Sequence, residues 1–114
     1  MNITIIGSTG CREKIKSHAR QMTWEGHAVK MPAFDDRMGK DFNELELCEH
    51  NRKLIWWANE VHIIWDGRSI GTIFDFGMCF ALRKKIKLVY LEEKTIAGVM
   101  KKYERKMNGQ RKEI

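Results

Sequence analysis

Cysteine is scarce in this chain. Cys11, Cys48 and Cys79 are the only three in 114 residues, an odd number, far apart and without a C-x-x-C pair. They offer no disulfide framework and read as reduced, packed thiols. His18, His27, His50 and His62 lack metal-ligand spacing as well, so neither a structural zinc nor any other metal is expected. No apolar run is long enough to cross a bilayer. The opening Met1-Asn2-Ile3-Thr4-Ile5-Ile6 lacks the basic stretch and cleavage site of a secretory leader, which predicts a cytoplasmic protein with no membrane partner. Repeats, linkers and low-complexity tracts are missing too, and the length accommodates one domain with a modest core.

What is present is an ordinary apolar fraction of 43% and a net charge of +6 with an uneven distribution. Residues 83–114 hold 11 Lys/Arg against 4 Asp/Glu, while residues 1–82 hold 10 against 11. A basic final quarter can bind nucleic acid or steer an anionic substrate. Without interleaved aromatics or a reader motif, a solvated helix face ranks ahead of a nucleic-acid interface.

Strand-like and helix-like stretches alternate four times. Asn2 to Ile6 reads as a buried strand, followed by the turn Gly7-Ser8-Thr9-Gly10 and a helix over residues 11–25 that Gly26 stops. His27 to Phe34 is a weaker strand whose far end leaves the ladder at Pro32. Asp35 to Lys40 is a polar loop. Asp41, with Glu44 three residues on, predicts an N-cap for a long helix through Ile55 and Trp56. Val61 to Trp65 is the third strand, Thr72 to Lys84 the third helix and Ile86 to Leu91 the fourth strand. Ile96, Val99, Met100, Tyr103 and Met107 form an amphipathic stripe, so the domain spans 1–107 and residues 108–114 form a frayed basic tail. The pattern predicts an α/β fold, a parallel sheet with helices on both faces.

In such a sheet, ligands bind beyond the carboxyl ends of the strands where strand order reverses. Two turns should meet there, Gly7–Gly10 and Asp66-Gly67-Arg68-Ser69-Ile70-Gly71-Thr72. The first offers backbone N–H groups, two hydroxyls and a helix start, which suits a phosphate or a sugar hydroxyl. Its spacing is neither G-x-G-x-x-G nor G-x-x-x-x-G-K-[ST], which excludes dinucleotide and P-loop readings. In the second, Gly67 and Gly71 permit close backbone approach, Ser69 can donate to an anion and Asp66 can accept from hydroxyls or amines. Both turns also fit plain tight turns with helix-capping residues. Asp75 follows them as the only charge in the apolar run Thr72 to Leu82. There a carboxylate must be desolvated, hydrogen-bonded or set in the helix's first turn. Arg68 is its nearest cationic candidate by sequence.

The segment Val61 to Leu91, an apolar strand, D-G-x-S-x-G-T-x-x-[acid]-x-G-x-x-x-A-L-x-K and a further apolar strand, resembles the nucleoside 2-deoxyribosyltransferase superfamily and the related nucleoside-monophosphate N-glycosidases. Ala58-Asn59-Glu60 is similar to the lead-in common there, and Ile3 to Gly10 to the first strand and glycine loop. About half the chain is covered. The resemblance implies a small Rossmann-like (flavodoxin-like) three-layer sandwich of about four parallel strands, with no cofactor and a homo-oligomer, often a dimer. Trp56 or Trp57 would serve its interface if not packed in the core. It implies Asp75 as nucleophile at the anomeric carbon, Asp66 as the acid that protonates the departing base (with Asp35 and Asp36 as outside candidates), and Ser8 on a phosphate. Gly7, Thr9, Gly10, Gly67, Ser69, Gly71 and Thr72 would line the same site, and Trp65 would replace a missing base-stacking aromatic.

The family places glutamate where this chain has Asp75, one methylene shorter. Three functions are therefore expected to compete. The first is an enzyme cleaving or transferring the N-glycosidic bond of a nucleoside or nucleotide. The second is a domain that binds or senses a nucleotide derivative without turnover. The third is a nucleic-acid accessory protein working through the basic C-terminal segment.

Overall fold

The computed structural model describes residues 1–32, 43–93 and 95–112. β1 (Asn2–Gly7) leads through a 3-10 turn (Thr9–Cys11) into α1 (Arg12–Trp24), β2 (Ala28–Lys30), α2 (Glu44–Trp57) and β3 (Glu60–Trp65). α3 (Ile70–Ala81), β4 (Lys85–Leu91) and α4 (Ile96–Lys112) complete the chain. The four strands form one all-parallel sheet in the order β2-β1-β3-β4. The order reverses between β1 and β3, the predicted switch point.

Alternation along β1 and β3 divides the core between the two faces. Ile5 and Ile64 pack with Cys11, Ile15 and Ala19 under α1. Ile6, Val61 and Ile63 pack with Ile55, Ala58 and Cys79 under α2 and α3. Ile5, Ile15 and Ile55 are wholly buried, each contributing roughly 2 kcal/mol on transfer from water. β1 passes close to β3 at Gly7, where a Cβ would collide with the Ile64 carbonyl oxygen and press on the Ile15 side chain. Only glycine fits there.

Several boundaries differ from the expectation. β2 is three residues long and pairs only with Asn2 to Thr4 of β1. α2 is capped by Asn43, whose Oδ1 accepts from the Glu46 N–H at 2.8 Å, so the Asn43–Glu46 pair displaces Asp41–Glu44 at the same spacing. Asp41 itself lies outside the described residues, as do Phe34, Asp35 and Asp36. α3 begins at Ile70 rather than Thr72 and ends before Lys84. Arg83 adopts φ 54° and Lys84 N–H donates to the Cys79 carbonyl, a Schellman closure. α4 runs on to Lys112, so the expected boundary at residue 107 falls inside a helix.

The amphipathic stripe of α4 is not covered by the rest of the described chain: Ile96, Val99, Met100 and Tyr103 are 57–72% exposed. Trp56, weighed mainly as a core residue, is exposed as well, while Trp57 is half-buried beneath the Lys30 ammonium. One residue is added to β4 where Ile63 and Ile64 pair with Leu88 and Tyr90. This bulge puts Leu88 and Leu91 on the same face, opposite Ile63 and Trp65. They line an apolar groove of about 360 Å³ between β4 and α3. None of the described helices is long and apolar enough to cross a membrane.

Candidate functional site

The two glycine turns meet at the carboxyl edge of β1 and β3. Ser8 is buried, and its Oγ accepts from the Asp66 N–H at 3.2 Å. Asp66 Oδ1 in turn accepts from the N–H groups of Arg68 (2.9 Å) and Ser69 (3.0 Å), closing a turn that holds Gly67 at φ 77°. The Asp66 Oδ2 atom faces Gly10, where an added Cβ would sit 3.9 Å away. Thr9 and Gly10 stay open to solvent. Thr72, buried on the first turn of α3, donates its hydroxyl to Ser69 Oγ at 3.3 Å. Gly71 lies beside the same hydroxyl. All eight predicted binding positions and Asp66 therefore cluster around this edge.

The helix ends there differ. Asn43 caps α2, whereas neither Cys11 before α1 nor Ser69 before α3 caps with its side chain. Two helix starts thus present backbone donors at the switch point, which favours negative charge.

Asp75 is not in the first turn of α3. It lies six residues below the Ser69 cap, about 9 Å of helix rise, on the buried face and 7% exposed. Its partner is not Arg68, which is exposed, but Asn51 of α2, whose Nδ2 donates to Asp75 Oδ2 at 3.3 Å. Asn51 is itself buried, and its Oδ1 has no hydrogen-bond partner among the described residues. Burial raises the Asp75 pKa to about 6, against the smaller opposing effect of the Asn51 amide. One turn on, burial and then the Asp75 charge push the Cys79 thiol up to about 11. Among the described residues, Asp75 is therefore a desolvated carboxylate whose hydrogen bond, through Oδ2, comes from a neutral amide. Trp65 does not form a wall over it; the indole lines the α3–β4 groove and donates Nε1–H to the Ser69 carbonyl at 3.0 Å.

No family model matches the chain, and no curated protein does either.

Sequence reasoning passed over Asn51, which has the look of a solvated helix residue. It also passed over a second buried polar chain at the opposite end of β3. There His62 Nε2 donates to Glu60 Oε1 at 2.9 Å, and His62 Nδ1 lies 2.6 Å from His18 Nε2 on α1. Glu60 and His62 are two apart on a strand, hence on one face, which was a readable signal. His18 is remote in sequence. The hydrogen bond from His62 is the main influence holding the Glu60 carboxyl below its usual range. Burial, His62 and Lys87 depress His18. Among the described residues, no group of three or more His, Cys, Asp or Glu converges as metal ligands would.

Proposed function

We propose that this protein cleaves or transfers the N-glycosidic bond of a nucleoside or nucleoside monophosphate, with Asp75 as the carboxylate that receives the sugar. One observation carries the reading: Asp75 is a buried carboxylate that meets no cation among the described residues, fixed through Oδ2 by Asn51 and raised to about pKa 6. At pH 7 such a group is mostly ionised yet poorly hydrated, a state suited to attack an oxocarbenium-like centre. Oδ1 bonds to the anomeric carbon as the carbon–nitrogen bond breaks. The bonding pair leaves with the base, which takes up a proton at nitrogen. Water or a second base then displaces the Asp75 ester and regenerates the carboxylate. The exposed donors at Thr9 and Gly10 suit a 5′-phosphate or sugar hydroxyl, and Asp66 Oδ2 faces the same loop. The sequence resemblance across Val61 to Leu91 supports the same chemistry.

A second reading, nucleotide binding without turnover, is favoured by the shorter side chain at position 75. A misplacement of about an ångström can slow such a reaction on the order of a hundredfold. The two separate in one experiment. Wild type and Asp75→Ala are incubated with deoxynucleosides and nucleoside monophosphates, and free base is measured by chromatography. The enzyme reading predicts base release that Asp75→Ala reduces at least about a thousandfold. A thermal shift with nucleotides but no release from the folded wild type leaves the binding reading; neither signal overturns both.

A further inference from the structure

We infer that α4 lies flat on the surface of a bilayer that carries anionic lipid, with its apolar face at the headgroup boundary. The helix combines two exposed surfaces. Ile96, Val99, Met100 and Tyr103 share one face over two turns, about 10 Å, and each is more than half exposed. Around the rest of the helix charge dominates: Ile96–Lys112 holds six Lys/Arg against the single acid Glu104, a net +5. The whole chain is +6, so everything outside α4 carries only +1.

The combination selects the partner. A nucleic acid would engage the cations and leave the apolar stripe in water. A second α4 would cover the stripe but set +5 against +5. A bilayer with anionic headgroups answers both surfaces, since apolar side chains enter the acyl boundary while Lys and Arg meet the lipid charge. Lys106, seven residues after Val99, borders the stripe. There its stem can lie along acyl chains while its ammonium reaches out to phosphate. Tyr103 has the apolar ring and polar tip that suit the same boundary. The expectation of no membrane partner concerns spanning runs and secretory leaders, and a surface-lying helix needs neither.

The fold holds the helix out for such a contact. Thr95 Oγ1 accepts from the Gly98 N–H at 3.0 Å, and Lys102 Nζ lies 3.6 Å from Glu92 Oε1. Gly98 passes so near the Glu93 carbonyl that a Cβ would come within 3.2 Å of its oxygen. These contacts fix the first two turns to the end of β4, and the remainder projects. The radius of gyration is accordingly 17.0 Å, against about 13 Å for a compact chain of this length. Because the sheet is all-parallel, α4 starts from the same edge that carries the two glycine turns.

Cosedimentation of the full chain with sucrose-loaded vesicles tests the inference. The protein should pellet with phosphatidylcholine vesicles that contain phosphatidylserine and stay in the supernatant with phosphatidylcholine alone. It should leave the mixed vesicles as salt rises from about 0.1 M to about 1 M. Replacing Lys101, Arg105 and Lys106 together by glutamine should weaken binding on the order of a hundredfold, at roughly fivefold per basic residue. Val99→Glu and Met100→Glu should each weaken it at least about tenfold. Both side chains are exposed, so far-ultraviolet circular dichroism should not change. Phe74→Glu, on the outward face of α3, should bind as wild type does. A wild type that never pellets overturns the proposal, and so does equal pelleting with and without phosphatidylserine. Full binding by Val99→Glu and Met100→Glu also overturns it, since the cations alone would then hold any polyanion, nucleic acid included. A Phe74→Glu as weak as Val99→Glu would place the contact on α3 and overturn the assignment to α4.

Discussion

Two acids in this protein are almost equally buried and behave in opposite ways. Asp75, 7% exposed, sits beside a neutral amide and its pKa rises to about 6. Glu60, 8% exposed, accepts a hydrogen bond from His62 and is held below its usual range. Burial alone therefore does not decide the state of a carboxyl; its partner does. Glu60 is answered by a histidine chain that ties β3 to α1, which is how a buried acid serves a fold. Asp75 is desolvated and, among the described residues, meets only a neutral amide, the state that the proposed attack on a glycosidic carbon would use.

The contrast breaks most visibly in activity. Asp75→Asn should lower base release at least about a thousandfold, while Glu60→Gln, remote from the switch point, should stay within a few-fold of wild type. A Glu60 variant as inactive as the Asp75 variant would erase the distinction.

Stability should move in opposite directions. Removing the charge at position 75 abolishes its desolvation cost, so Asp75→Asn should be more stable at pH 7 by up to about 3 kcal/mol. The introduced amide also brings a donor near Asn51 Oδ1, which has no hydrogen-bond partner among the described residues. Glu60→Gln weakens the bond that fixes the His62 proton on Nε2 and should be less stable by about 1–3 kcal/mol. Chemical denaturation of both variants checks the two signs together.

The pH dependence sharpens this. Asp75 has a folded pKa of about 6, above its ordinary value of 3.8, so its contribution is fully present below about 3.8 and lost as pH rises through 6. The advantage of Asp75→Asn should therefore shrink from pH 8 toward pH 4. His18 is shifted below its ordinary value of 6.5, so its contribution is present above 6.5 and lost as pH falls further. Melting temperatures of His18→Gln and wild type should accordingly converge as pH drops below 6.5. Widening differences in either series would contradict these assignments.

The smallest effect belongs to Lys85, whose ammonium lies 3.7 Å from Glu60 Oε2 but is 80% exposed. Lys85→Ala should change stability by less than about 0.5 kcal/mol, since solvent screens such a pair. A larger loss would mean that Lys85 rather than His62 holds the Glu60 charge.

Much of this arrangement was legible in the sequence because it is local. Glycine turns after two apolar strands located the switch point, and a lone acid in the run Thr72 to Leu82 singled out Asp75. Its partner was not legible, since Asn51 and Asp75 meet only when α2 packs beside α3 across 24 residues of chain. The His18–His62 contact spans 44 residues and was missed for the same reason. Periodicity found the apolar face of α4 correctly, but a stripe states only that a helix needs a partner, not where that partner is. The cap of α2 moved by two residues because Asp41–Glu44 and Asn43–Glu46 offer the same spacing.

The bond from the Asp66 N–H to Ser8 Oγ has a thermodynamic consequence. It fastens the loop after β1 to the loop after β3, so a ligand that immobilises one has already ordered the other. On the proposed reading, affinity contributed by Thr9 and by Ser69 then cannot be divided between them, and their substitutions should combine non-additively. On the same reading, replacing Ser8 with alanine would remove this side-chain link and weaken the coupling between the two loops.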